Sequence, residues 1–534
     1  MKTAVKFINV NRFQKISLVI CFLLFLFAVP GCKKNDTPSS TTLAPTISGF
    51  SPATSGVGQT IVITGSNFSS NPANDLVEIG GVQAEVIAAT TTSLTVVIPS
   101  GISGGSISVT VNGQTGVAHN TITLTSPSVS GFLPSLVGIG YPVIVTGKGF
   151  GTDMSKIKVS FNGTAGGVLV SASDTALVVT VPIGATSGGI TVVVNGQSAT
   201  SANNLQIRSL TVSTLAGSIP GFSDGTGSAA KFHGAWGIVG DGLGNYFVAD
   251  AFNSRIRKVS STGIVTTFTG TSSFGNKNGS LDTATFGSPF GIAMDSHGNI
   301  FVTDFGFNNI REISASGFVS TFAGDTYGAT GTADGFGTNA RFHSPLGITI
   351  DQNDNIFVID GANNTVRKIT SDGHVTTLAG SGVAASIDGT GTAASFNGPC
   401  GIGVDATGNI YVVETGASKI RKVTQTGVVT TFAGSGIPGT KDGPVDSARF
   451  NQPICIVSDH QGNFYVTDQG NGTIRMISSD GTVSTLAGSG NQVSTDGVGA
   501  FASLAYPLGI AIDATGALYV VDNGTDQIRK ILVQ

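Results

Sequence analysis

Six carboxylates each stand seven residues ahead of an arginine: Asp250 and Arg257, Asp304 and Arg311, Asp360 and Arg367, Glu414 and Arg421, Asp468 and Arg475, Asp522 and Arg529. A guanidinium offers a planar fork that meets a carboxylate through two hydrogen bonds. The six pairs could therefore be a ring of binding sites, or each could brace its own hairpin. Because every copy has it, the bracing role is expected: an acid ending one strand and an arginine on the next lie across a single hairpin. As partly exposed pairs they would be worth about 1 kcal/mol or less each.

Two other sets of residues invite chemistry. Asp224, Asn278, Asp334, Asp388, Asp442 and Asp496 are each followed by glycine. One carboxylate per loop falls short of the roughly six to eight oxygens that calcium takes, so turn capping is expected there. Zinc needs about three ligands around one ion. His297, His374 and His460 fall in turns on one face of the repeats described next, which leaves only His233 and His343, in the first and third copies, on the other. With sheets about 10 Å apart, second neighbours start roughly 17 Å apart, too far to share an ion without a third ligand. No nucleophile elbow or Ser/His/Asp signature is found either. No metal, cofactor or catalytic residue is assigned.

The marker arginines are spaced by 54, 56, 54, 54 and 54 residues, and a fixed period near 50 means stacked copies of one supersecondary unit. Each copy holds four strand-like runs, in the second Gly291-Ile-Ala-Met-Asp295, Asn299-Ile-Phe-Val-Thr-Asp304, Ile310-Arg-Glu-Ile313 and Phe318-Val-Ser-Thr-Phe-Ala323. An Asp-x-x-Gly-Asn turn joins the first two in most copies, and its Gly and Asn suit a tight hairpin. A meander that is apolar on both faces must be flanked by neighbours, and six of them bury every face by closing into a ring. The sixth copy stops after its third strand, at Ile531 to Gln534, while an unpaired strand, Val212 to Gly217, opens the region. That segment is expected to complete the sixth blade.

The copies resemble NHL repeats: a Pro-x-Gly-Ile run, a Gly-Asn-hydrophobic-Val-x-Asp strand and a following Ile-Arg, met six times in register between 209 and 534. The resemblance implies a six-bladed β-propeller. Departures are local, with Ala235 at a Pro position, Cys455 at a Gly position and Leu504 at a Phe position. Between the Phe and Pro positions lie two variable residues per copy, which would ring one mouth of the central channel. Its polar lining is expected from His233, His343, Asn397, Asn451, Gln452 and Tyr506. Trp236, the only tryptophan, sits where other copies have Phe290, Leu346, Cys400, Ile454 and Leu508, so it is expected in the core.

Residues 45–125 and 126–208 form a second, independent duplication, with Phe50, Pro52, Gly65 and Phe68 recurring as Phe132, Pro134, Gly147 and Phe150. Short alternating strands between Gly-rich turns read as a small β-sandwich in each. The runs Pro45-Thr-Ile-Ser-Gly-Phe-Ser-Pro52 and Ile61-Val-Ile-Thr-Gly65-Ser-Asn-Phe68 resemble IPT/TIG immunoglobulin-like domains, which implies a spacer or stalk. His119 stands alone and is taken as incidental. The fold class is thus all-β, two Ig-like sandwiches followed by a six-bladed propeller closed by an N-terminal strand.

Residues 1–31 carry Lys2, Lys6, Arg12 and Lys15 ahead of an apolar run, Ile16 to Val29, too short for a membrane span and read as a secretory signal. Val29-Pro30-Gly31-Cys32 resembles the lipobox of bacterial lipoproteins, which implies lipidation at Cys32 and a flexible tether over 32–44. Losing the four basic residues leaves 23 against 31 acidic ones, a net charge of −8, which argues against nucleic acid. Cys400 and Cys455 are expected as free thiols. Together these features describe an exported protein, lipid-anchored to the bacterial outer membrane on its surface or periplasmic side, that recognises a polysaccharide or protein through one propeller face. A hydrolase or lyase at that mouth, or a purely structural spacer, are the alternatives.

Overall fold

The computed structural model describes residues 43–102 and 104–533, and the signal segment, Cys32 and nearly all of the tether lie outside them. The described chain is all-β apart from single 3₁₀ turns, and no helix in it is long and apolar enough to cross a membrane. Six five-stranded sheets follow two small sandwiches.

Each sheet is a four-stranded meander with one unexpected addition. In blade 1 the strands Ala235–Gly240, Asn245–Asp250, Arg255–Ser260 and Ile264–Thr269 run from the channel outward, and the two-residue strand Gly225–Thr226 pairs outside the fourth. Equivalent Gly-x pairs form that outer strand in every blade. The second strand, such as Ile300–Asp304, is buried at every residue because both faces meet a neighbouring blade. Apolar cores therefore lie between blades: Phe247, Ala249 and Ile256 of the first blade pack with Phe286, Ile292 and Val302 of the second. Each such Val, Ile or Phe side chain contributes about 1.5–3 kcal/mol by leaving water.

Closure follows the expected route. Leu210–Gly217 pairs antiparallel with Gln527–Val533, from Leu210 opposite Val533 to Gly217 opposite Gln527. Tyr246 of blade 1 stacks on Tyr519 of blade 6 with ring centroids 3.8 Å apart. The inner strands are so close that the Gly of Pro-x-Gly-Ile has a steric reason. A Cβ on Gly401 would lie 2.1 Å from the Ile454 carbonyl oxygen, and one on Gly509 2.3 Å from that of Trp236.

In the first sandwich the long strand Val82–Thr90 passes from one sheet to the other, so its strands form one continuous eight-stranded sheet around the core. In the second the corresponding segment is split at Gly166 and Gly167 into Thr164–Ala165 and Val168–Ala172, leaving two separate four-stranded sheets. The second sandwich packs against the propeller. Tyr141 donates its hydroxyl to the Gly488 carbonyl oxygen, the Ala500 N–H donates to Ile139 O at 2.9 Å, and Arg208 Nη1 donates to Tyr465 Oη at 3.1 Å. Its last strand, Gln206–Arg208, leads at once into the closing strand.

Candidate functional site

The acid–arginine pairs are buried rather than partly exposed. In blade 1, Arg257 and Asp250 both have fully buried side chains and meet at 2.8 Å. The same guanidinium reaches back to the interblade loop, where Asp224 lies at 2.6 Å, and donates to Lys231 O. Asp334, Asp388, Asp442 and Asp496 hold Arg367, Arg421, Arg475 and Arg529 in the same way. These loop residues are thus arginine partners, beyond the turn capping expected of them. Over five of the six guanidiniums lies the repeat phenylalanine, with Phe232, Phe286, Phe342, Phe396 and Phe450 centred 5.1–5.8 Å away. That lid and the flanking blades exclude water, which raises the cost of breaking a pair well above the surface value.

Blade 2 departs from this pattern. Asn278 replaces the loop aspartate and accepts from Arg311 at 2.8 Å, while Asp304 lies 3.9 Å off. Burial with a single carboxylate nearby lowers the Arg311 pKa to about 10.

What the acids position is the mouth. In each blade the carboxylate accepts a backbone N–H from the variable pair: His233, Ser288, His343, Asn397, Asn451 and Tyr506 donate at 2.7–2.9 Å. The hairpin tip after the acid then donates back, as Phe252 N–H does to His233 O and Gly470 N–H to Asn451 O. Each tip ends in a left-handed residue, at Ser254, Asn308, Asn364, Ser418, Gly472 and Asp526 with φ of 49–58°. Several of these stitch one blade to the next: Ser254 Oγ donates to Gly287 O, and Asn308 Oδ1 accepts from Ser344 N–H.

The structure places all six mouth residues at equivalent loops around one face. His233, His343, Gln452 and Tyr506 are exposed, and Asn397 and Asn451 are half-buried. His233 and His343 belong to blades 1 and 3, and among the described residues no group of three or more His, Cys, Asp and Glu side chains could hold a metal ion. Trp236 departs from its expected core position: it is half-buried on the channel wall, its ring 5.3 Å from Phe290. Below it the channel encloses a cavity of about 290 Å³ walled mainly by the apolar inner strands, with His460 at its far end. Cys400 and Cys455 are free thiols, and burial pushes the Cys400 thiol up to about 12.

Sequence reasoning missed the aromatic side chains at the hairpin tips. Phe252 meets His233 edge-on at 5.2 Å, Phe305 stacks on Phe290 at 4.8 Å, and Phe307 lies 5.2 Å from Phe274. The signal was available, because these residues follow the marker acids by one to three positions and differ from copy to copy.

Residues 45–126 and 127–208 each match the IPT/TIG domain model. Part of the chain is similar to NHL repeat-containing protein 2 of Bos taurus, 31% identical over 280 residues that make up 46% of this chain and 38% of that protein. It is also 29% identical over 277 residues to teneurin-3 of Danio rerio, 46% of this chain and 9% of the relative. The chain thus spans well under half the length of these relatives. Among solved structures it is similar to an auxiliary nutrient binding protein from Bacteroides thetaiotaomicron VPI-5482, with 18% identity, a TM-score of 0.47, and coverage of 77% of this chain and 98% of that one. Fold and matches together define the class: tandem IPT/TIG domains joined to a six-bladed propeller with NHL-like repeats.

Proposed function

We propose that the chain recognises a polysaccharide or protein partner noncovalently through the mouth face of its propeller, with the two sandwiches holding that face away from a membrane. The observation that carries this reading is the support of the mouth: a buried acid in every blade fixes the backbone beneath a variable side-chain pair. Rigid backbone under variable side chains suits recognition, since little ordering entropy is lost on binding. His233, His343, Asn397, Asn451, Gln452 and Tyr506 are the side chains assigned to it. The test is retention of envelope polysaccharides and proteins by the immobilised chain and by its H233A/H343A/N451A variant. Retention falling at least tenfold, with the melting temperature held, supports the reading, and unchanged retention overturns it.

Export and a lipid anchor at Cys32, on the bacterial outer membrane, complete the proposal. Its support is the coincidence of a basic start, an apolar run and a cysteine directly after Gly31. Replacing Cys32 with Ser should abolish incorporation of labelled fatty acid and move the protein from the membrane to the soluble fraction. Equal labelling of both forms would refute the anchor.

A further inference from the structure

Six copies of one hairpin provide an internal comparison. At the three tip positions after the marker acid, blades 3 to 6 carry Gly361-Ala-Asn363, Thr415-Gly-Ala417, Gln469-Gly-Asn471 and Asn523-Gly-Thr525. Blades 1 and 2 instead carry Ala251-Phe-Asn253 and Phe305-Gly-Phe307. None of these phenylalanines is needed to form the turn, since four blades make it without one. Nor are all of them covered by packing: Phe252 is 67% exposed and Phe305 37%. Phe274, from the loop entering blade 2, lies against Phe307 and is 64% exposed. Tyr506 of blade 6, adjacent to blade 1 around the ring, is 42% exposed. With Trp236 at the channel wall they make an aromatic arc over blades 6, 1 and 2, while the mouth pairs of blades 3 to 5 are mostly amides and hydroxyls.

The residues that form the mouth pairs and tips are also uncharged. No Asp, Glu, Lys or Arg occurs among the mouth pairs or the tip triplets of any blade, and the marker acids beneath them are buried and paired. A phosphate-rich ligand would find no counter-charge on these loop residues, and Arg255, at the base of the blade 1 tip, is held over the Phe222 ring and donates to Asn253 O. Protein interfaces, by contrast, are enriched in arginine and use charge for steering. A pyranose matches what is present. The C–H groups on one face of the ring lie against the negative face of an aromatic ring, and its equatorial hydroxyls suit side-chain amides, which both donate and accept.

Resting on the mouth-face reading above, we infer that the ligand is a neutral polysaccharide whose sugar rings stack on the arc formed by Phe252, Phe305 and Tyr506, with Asn397, Asn451 and Gln452 across the mouth binding its hydroxyls. The experiment uses the purified chain and four soluble neutral probes, dextran, mannan, arabinoxylan and amylopectin, in affinity electrophoresis. Retardation by at least one probe is expected, with its dissociation constant raised at least tenfold in F252A/F305A. Phe318→Ala, an exposed phenylalanine on the fourth strand of blade 2, is the control and should leave it within twofold. No retardation by any of the four probes overturns the inference. If N397A/N451A/Q452A weakens binding while F252A/F305A does not, the arc is wrong and the mouth-face reading stands. If neither variant changes retardation, both fail.

Discussion

Asp526 accepts a 2.7 Å hydrogen bond from the backbone N–H of Gly234, so the hairpin tip of the last blade holds the mouth loop of the first. The ring is thereby closed at its mouth as well as along the closing strand. Asn308 makes the same contact to Ser344 with an amide oxygen, which shows that an asparagine suffices. Asp526→Ala should cost about 1–3 kcal/mol, the penalty for leaving a buried N–H unpaired, and Asp526→Asn should cost little. Burial holds the Asp526 carboxyl above its ordinary 3.8. A raised acid favours the folded state while protonated and loses that advantage as pH rises through the folded value. The asparagine variant should therefore gain stability relative to the parent above about pH 4, as thermal melts across that range would show.

Asn278→Asp should stabilise the protein. It gives Arg311 the second carboxylate that the other five marker arginines have, replacing a hydrogen bond from a cation to a neutral amide with one to a carboxylate, a difference of about 1 kcal/mol. A lower melting temperature in this variant would contradict the account of blade 2.

Arg367→Ala leaves Asp360 buried without its cation, Asp360 being 2.9 Å from the guanidinium it would lose. A loss of about 3–5 kcal/mol is expected, measured by denaturant unfolding. A loss below about 1 kcal/mol would restore the surface-pair reading.

Gly401→Ala should be among the most damaging single-methyl additions in the chain, because its Cβ would meet backbone of the next blade at 2.1 Å. Cys455→Gly, which restores the residue found at this position in the other blades, should fold normally. Soluble yield and cooperativity of melting distinguish the two.

The ring was legible because Ile, Val and Phe repeat at a fixed period and the final copy lacks a strand that Val212 to Gly217 could supply. The outer strands were not, since a pair such as Gly225–Thr226 looks like loop. Burial of the Asp250–Arg257 pair was not legible because both Asp224 and the Phe232 lid lie well upstream of Arg257, and only the folded blade brings them together. Phe252, Phe305 and Phe307 stand out less for a different reason: the repeat is defined by its strands, whereas the hairpin tips hold the variation.

The central claim is that ligand binds the mouth face. Hydrogen–deuterium exchange, run with and without whichever polysaccharide or protein the chain retains, tests it most directly. Added protection should fall on the loops around 233–236, 250–254 and 304–308 and on their counterparts in the other blades. Protection confined to the Asp295–Asn299 type of turn on the opposite face, or to the sandwiches, would contradict it.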